Sequence, residues 1–144
     1  MKKTFAVDWL MLVLFIASFY TGHELHVAGR AGIHEIWHNL AVAHILVNLL
    51  FFIIGIWHIK LHRAWYKSLF HVGFGNHSKI TLVLSVLFLL VTFSGLYLLC
   101  VEGICTKIGM LHYAFGLLFS VLSVLHIGKR ISKVHHKRSM RANC

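Results

Sequence analysis

Four long runs of apolar residues, at about 5–22, 38–59, 80–100 and 110–127, alternate with stretches rich in His, Lys, Arg and Gly. Each run approaches or exceeds the roughly 20 residues that a helix needs to cross a hydrocarbon layer about 30 Å thick. The pattern predicts an all-α, integral-membrane four-helix bundle forming a single domain over 1–144, with a basic tail at 128–144. From His23 to Trp37 the pattern lapses into a polar stretch holding His23, Glu24, His26, Arg30, His34 and Glu35, read as a wet connecting loop. The connection from Lys60 to Lys79 is basic and aromatic, with Trp65, Tyr66, Phe70 and Phe74 among Lys67 and His71 before Gly73 and Gly75, which suits a segment lying at headgroup level.

Inside the apolar runs the pattern is broken at regular places. His44 and His58 lie fourteen residues apart in the second run, and His112 and His126 repeat that spacing in the fourth. Fourteen residues turn a helix through about 1,400°, roughly 40° short of four turns, and rise about 21 Å, so each pair lies on one face at two depths. Among the thirteen histidines no other pair has this spacing, and both members of the second pair stand 68 residues after their counterparts. The first and third runs are related as well, through Tyr20-Thr21-Gly22 and Phe93-Ser94-Gly95. The chain thus reads as two copies of a two-helix unit. The interval from Gly22 to His44 exceeds that from Gly95 to His112 by five residues, a difference placed in the connection.

Charge sets the expected orientation, because segments on the cytoplasmic side of a membrane carry the excess of Lys and Arg. Twelve of the fourteen basic residues fall in the N-terminus, the second connection and the tail, whereas Arg30 and Lys107 fall in the first and third connections. Both termini are therefore expected in the cytoplasm, with His44 and His112 at the outer depth and His58 and His126 at the inner. Met1, Lys2 and Lys3 ahead of an apolar run resemble a secretory signal, but no A-x-A-like cleavage site follows, and Asp8 and Trp9 sit where an interfacial anchor would.

Composition narrows the chemistry. A chain of 144 residues that is 58% hydrophobic, with no proline and a mean hydropathy of +0.77, is not an ordinary soluble domain. The net charge of +10 is accounted for by membrane topology, which leaves no reason to invoke nucleic acid. Three cysteines do not make a disulfide framework, and Cys100 and Cys105 lack the C-x-x-C-H pattern of covalent haem attachment. Flanking the short third connection, they are compatible with a disulfide or with two thiols. His23, His26 and His34 of the first connection, with His38 just after it, match no zinc spacing well, except that His34 and His38 could share a helical face.

An imidazole placed in hydrocarbon must satisfy its nitrogens, and ionisable residues there read as functional. Four of them at two matched depths, on helices running in the same direction, would let His44 face His112 and His58 face His126 across the bundle. Two imidazoles on opposite sides of one iron give a six-coordinate centre suited to moving single electrons. Gly22 and Gly95 would let the first and third helices approach the outer porphyrin.

On these residues the chain resembles the transmembrane di-haem b-type cytochromes, including small four-helix bacterial members and the cytochrome b subunits of membrane hydrogenases and formate dehydrogenases. The resemblance spans about residues 5–130 and rests on the two His-x13-His pairs and the two aromatic-Ser/Thr-Gly elements. It implies a bacterial cytoplasmic membrane and two non-covalent haem b groups per chain, with iron bound by His44, His112, His58 and His126. It also implies electron exchange with quinone, and with a redox partner protein or a second copy of the chain. The chain departs from the family in having no glycine at inner depth in the first or third run, where Asp8, Trp9 and Thr81 stand instead.

Haem propionates need cationic or hydrogen-bonding partners. Inner candidates are Lys60, His62, Arg63, Lys129 and Arg130; outer ones are Arg30, His34, His38 and Lys107. Glu24, Glu35 and Glu102 could handle the protons of quinone chemistry. Two other classes compete with this reading. A divalent-metal transporter could use the same histidines, although no acid lies between the two histidine depths, and a haem-bearing anchor subunit could dock a separate redox enzyme.

Overall fold

The structure, a computed structural model, describes residues 2–72, 79–100 and 107–142. It consists of five helices: α1 Lys2–Ala31, α2 His34–Leu61, α3 Arg63–Val72, α4 Lys79–Cys100 and α5 Lys107–Ala142. Four of them, over Thr4–Ala31, His34–Leu61, Lys79–Cys100 and Lys107–Ser132, are long and apolar enough to cross a membrane. Runs of Leu, Ile, Val and Phe without proline leave nothing to interrupt the backbone ladder, and in hydrocarbon a helix satisfies every one of its own amide groups.

The polar stretch after Gly22 is not a loop. α1 continues through Glu24, His26 and Arg30 to Ala31, and only Gly32 and Ile33 separate it from α2. A helix of 30 residues is about 45 Å long, well beyond a hydrocarbon layer of about 30 Å. Its polar end is the part that overshoots. The reversal is made at Gly32, whose φ of +72° is open to glycine at no steric penalty, and the Ile33 N–H donates back to the Ala28 carbonyl at 3.3 Å. This is the αL ending that satisfies the last carbonyls of a helix. At the other end of the chain α5 likewise runs on through the basic stretch to Ala142.

α1 packs along α2 and α4 along α5, and the two pairs meet mainly through α1 and α5. Midway along the helices an aromatic layer joins all four. Phe51 on α2 touches Phe88 on α4 and Phe119 on α5, each at 6.1 Å between ring centres, and Phe15 on α1 reaches Phe119 at 6.5 Å. These four rings obey the internal repeat: Phe51 and Phe119 are 68 residues apart, Phe15 and Phe88 are 73 apart, and Phe51 lies seven residues from both His44 and His58. Gly55 makes room for the layer, since a Cβ there would come within 2.9 Å of the Phe88 ring. Among the described residues only Ala28, Phe51 and Leu87 are buried hydrophobics, and large apolar side chains such as Val13, Leu46, Phe93 and Val121 are exposed. An apolar exterior of this extent suits a lipid solvent rather than water.

α3 is strongly amphipathic and is tied to α4 by a 2.8 Å hydrogen bond between the Tyr66 and Ser85 hydroxyls. His71, Gly73, Phe74 and Gly75 of the second connection lie outside the residues whose side chains are described, as do Glu102, Cys105 and Cys144. Cys100, at the end of α4, is an exposed free thiol.

Candidate functional site

The internal repeat brings its polar residues together at two levels. At the first, the rings of His44 and His112 approach to 6.2 Å between centres, with planes 86° apart. Each imidazole is seated against the neighbouring helix of its own pair by the aromatic-Ser/Thr-Gly element. Thr21 Oγ1 lies 3.0 Å from His44 Nδ1, and Ser94 Oγ lies 2.9 Å from His112 Nδ1. A Cβ added at Gly22 would stand 2.8 Å from His44 Cε1, and one at Gly95 would stand 3.1 Å from His112 Cε1. The glycines therefore leave space for the imidazoles themselves.

The direction of these hydrogen bonds follows from the helices. The Thr21 hydroxyl donates to the Ala17 carbonyl at 2.8 Å, and the Ser94 hydroxyl donates to the Leu90 carbonyl at 2.7 Å, the usual back-bonding of Ser and Thr within a helix. With its single proton committed, each oxygen offers the ring a lone pair and accepts from Nδ1–H. Neutral imidazole has one N–H, so Nε2 then carries the free lone pair. This is the tautomer that binds metals, with the second nitrogen oriented by an outer partner. Asn48 completes the setting of His44: its amide donates to the His44 carbonyl at 2.7 Å, lies 3.2 Å from His44 Nδ1, and accepts from the Ser18 hydroxyl at 2.8 Å.

The second level has the same plan with different chemistry. Thr81 Oγ1 is 3.5 Å from His126 Nδ1, and Asp8 Oδ1 is 3.1 Å from His58 Nδ1. Asp8 and Thr81 are repeat equivalents, 73 residues apart like Thr21 and Ser94. The other Asp8 oxygen binds the Arg130 guanidinium at 3.1 Å, so this carboxylate ties α1 to both α2 and α5. The His58 ring contacts His62, at 4.7 Å, rather than His126. Asp8 Oδ1, His58 Nδ1 and His62 Nε2 are buried atoms without an aligned hydrogen bond, and the three residues present ligand atoms within 4.8 Å of one another.

The remaining candidates are dispersed. Arg30 ends α1 and Arg63 begins α3; both are exposed, and neither forms an ion pair among the described residues. Beyond the first level, His23 Nδ1 meets the Tyr113 hydroxyl at 3.2 Å, and the His26 ring stacks on Tyr113 at 3.9 Å. Sequence reasoning missed the partners of the histidines and the phenylalanine layer. The 73-residue offset between α1 and α4 would have found both, since Asp8 and Thr81, Phe15 and Phe88, and Thr21 and Ser94 all obey it.

The separation of the two rings at the first level is one that two imidazoles holding a single metal would show, about 6 Å between ring centres. The 6.2 Å between His44 and His112 agrees. At the second level His58 and His126 are not in ring contact, and the matching orienting groups on Nδ1 carry the resemblance.

No family model, curated protein or solved structure matches the chain.

Proposed function

We propose that this protein is a membrane b-type cytochrome that binds two haems, one between His44 and His112 and one between His58 and His126, and passes electrons between the two membrane faces. The observation that carries the reading is the approach of His44 and His112 to 6.2 Å, with each Nδ1 engaged by a hydroxyl of the neighbouring helix. A haem held by two of these histidines would supply a one-electron couple.

The chain's own residues do the rest. Thr21, Ser94, Thr81 and Asp8 orient the four rings. Gly22 and Gly95 leave the two first-level imidazoles their space. The phenylalanine layer keeps the region between the levels apolar and closed to water. With ligands offset by about 21 Å along the helices, no moving part is needed to carry an electron through most of the membrane. In this reading both termini face the cytoplasm, so the His44 level is the outer one, and Arg30 and Arg63 stand at the two ends as partners for propionates. Quinone is the proposed small-molecule partner, with Glu24, Glu35, His26 and Tyr113 as groups able to hold its protons at the outer end. A docked redox protein or a second copy of the chain remains part of the proposal.

A second reading rests on Asp8, His58 and His62. Two imidazoles and a carboxylate whose ligand atoms lie within 4.8 Å of one another are a donor set for a divalent transition metal, which would place metal handling rather than electron transfer at that level. One measurement separates the two. Purified protein, examined optically when oxidised and after dithionite reduction and assayed for metals, is expected to hold two acid-acetone-extractable, low-spin haems per chain. Bound zinc with no haem would defeat the cytochrome reading, and a fully loaded ratio of one haem per chain would defeat its second site.

A further inference from the structure

The end of α2 carries two imidazoles four residues apart, His58 and His62, a spacing that puts side chains on one face of a helix. His62 is the residue at which α2 stops, and its backbone N–H is held by the His58, Ile59 and Lys60 carbonyls. The start of α1 brings up a third member. Asp8 Oδ1 lies 3.1 Å from His58 Nδ1, and these two atoms and His62 Nε2 all lie within 4.8 Å of one another. All three are buried atoms without an aligned hydrogen bond, whereas the other Asp8 oxygen is held by Arg130 at 3.1 Å. The internal repeat supplies a comparison. Asp8, His58 and His62 correspond to Thr81, His126 and Arg130, at offsets of 73, 68 and 68 residues. The same three positions therefore carry three metal-binding side chains in one half of the chain and a single one in the other.

Resting on the second reading given above and deepening it, we propose that Asp8, His58 and His62 form an exchangeable site for a divalent first-row transition metal. Donor chemistry sets the class of ion. Two imidazoles and one carboxylate suit ions such as zinc, whereas magnesium and calcium take oxygen ligands. The distances fit as well. Bonds of about 2.0–2.2 Å to a central ion put ligand atoms roughly 3–3.5 Å apart. Asp8 Oδ1 and His58 Nδ1 already have that spacing, and His62 Nε2, within 4.8 Å of both, has at most about 1.5 Å to close. Arg130 belongs outside the metal shell: it holds Oδ2 and leaves Oδ1 to the ion, and ligating carboxylates are themselves hydrogen-bonded in this way. Exchange follows from ligand number and exposure. Structural zinc sites close with four protein ligands, while three leave a position for water, and the His58 and Asp8 side chains keep 27% and 29% of their surface exposed. Metal loads and leaves at this end of the bundle, without a path through the apolar layer around Phe51.

The test uses the full chain in detergent, purified without a polyhistidine tag, stripped with a chelator and dialysed against zinc ions. Zinc is then measured by elemental analysis, and haem is measured on the same sample. His62→Ala and Asp8→Thr, the second copying the other half of the repeat, should each weaken binding by at least about tenfold, since loss of an outer partner alone has that effect. The wild type is expected to hold one zinc per chain more than either variant, and excess magnesium or calcium should not displace it. Undiminished helicity by circular dichroism identifies a folded variant, and His62→Ala decides if Asp8→Thr does not fold. His62 ligates neither haem of the cytochrome reading, so its effect on zinc does not pass through a lost axial bond. Zinc held equally by the wild type and the folded variants overturns this ligand set while leaving metal handling elsewhere in the chain standing. No zinc on the wild type overturns the set and the metal reading together. The haem count of the same sample bears on the cytochrome reading alone.

Discussion

The two histidine levels are built from one repeated plan, yet only at one of them do the rings of the two facing helices approach each other. At the His44 level both orienting groups are hydroxyls, both rings sit against a glycine, and the ring centres approach to 6.2 Å. At the His58 level a carboxylate replaces one hydroxyl, no glycine among the described residues makes room, and the His58 ring lies against His62 at 4.7 Å. The difference teaches which parts of the repeat do what. Spacing of fourteen residues places a histidine at each depth, but the glycine one residue after the hydroxyl decides whether its ring can lie flat against the neighbouring helix. Where that glycine is missing, a charged network of Asp8, Arg130 and His62 occupies the neighbourhood.

The largest effect expected is loss of one haem and retention of the other. His44→Ala or His112→Ala should abolish binding at the first level, since the iron loses one of two axial bonds, and should leave the second level loaded; His58→Ala or His126→Ala should do the reverse. Haem content and the reduced spectrum of folded protein read this directly. Equal loss of both haems from each single variant would mean that the levels are not independent sites and that the pairing drawn here is wrong.

Next come the glycines, which sharpen the contrast because the second level has none. Gly22→Ala places a methyl 2.8 Å from His44 Cε1, closer than real Cβ contacts allow, whereas Gly95→Ala meets His112 Cε1 at 3.1 Å, which a small shift of the ring relieves. Both should weaken the first-level haem selectively, Gly22→Ala by at least tenfold more than Gly95→Ala, a difference of about 1.4 kcal/mol. Haem retention during dilution or competition with apomyoglobin measures it. A glycine variant that spares the His44 level and disturbs the His58 level would break the correspondence.

How far the sequence discloses this molecule depends on whether the signal is local. Four apolar runs without proline announce four long helices, and the histidine pairs stand out because a polar residue is conspicuous in such a run. The end of α1 does not announce itself: Glu24, His26 and Arg30 look like a loop by polarity, yet nothing among them stops a helix, and the backbone turns only where Gly32 takes a positive φ. The partners of the histidines are hidden for another reason. His44 pairs with Thr21 and His112 with Ser94, separations of 23 and 18, while His58 pairs with Asp8 and His126 with Thr81, separations of 50 and 45. Both differences equal the five residues by which the connections differ, so the register is visible only once the two helix pairs have been laid over each other.

The smallest effects lie in the hydroxyls, and they differ within the first level itself. Removing an orienting partner of a metal-bound histidine typically lowers affinity about 10–100-fold. Ser94→Ala should fall at the mild end of that range, because the Val91 carbonyl also hydrogen-bonds the His112 ring and can keep it oriented. Thr21→Val should be worse. The Asn48 amide, fixed by Ser18 at its oxygen, points its NH2 toward His44 Nδ1 at 3.2 Å. While Thr21 accepts the Nδ1 proton, that donor has nothing to bind on the ring and is satisfied by the His44 carbonyl. Without Thr21 it can donate to Nδ1, which moves the ring proton to Nε2 and blocks the nitrogen that would bind iron. Replacing Asn48 with Leu in the Thr21→Val chain removes the competing donor and should recover part of the lost affinity, an outcome opposite to that of two independent losses. Haem dissociation rates of the two single variants and the double variant give the comparison; additive weakening would mean that the proton on His44 is not governed by the choice between Thr21 and Asn48.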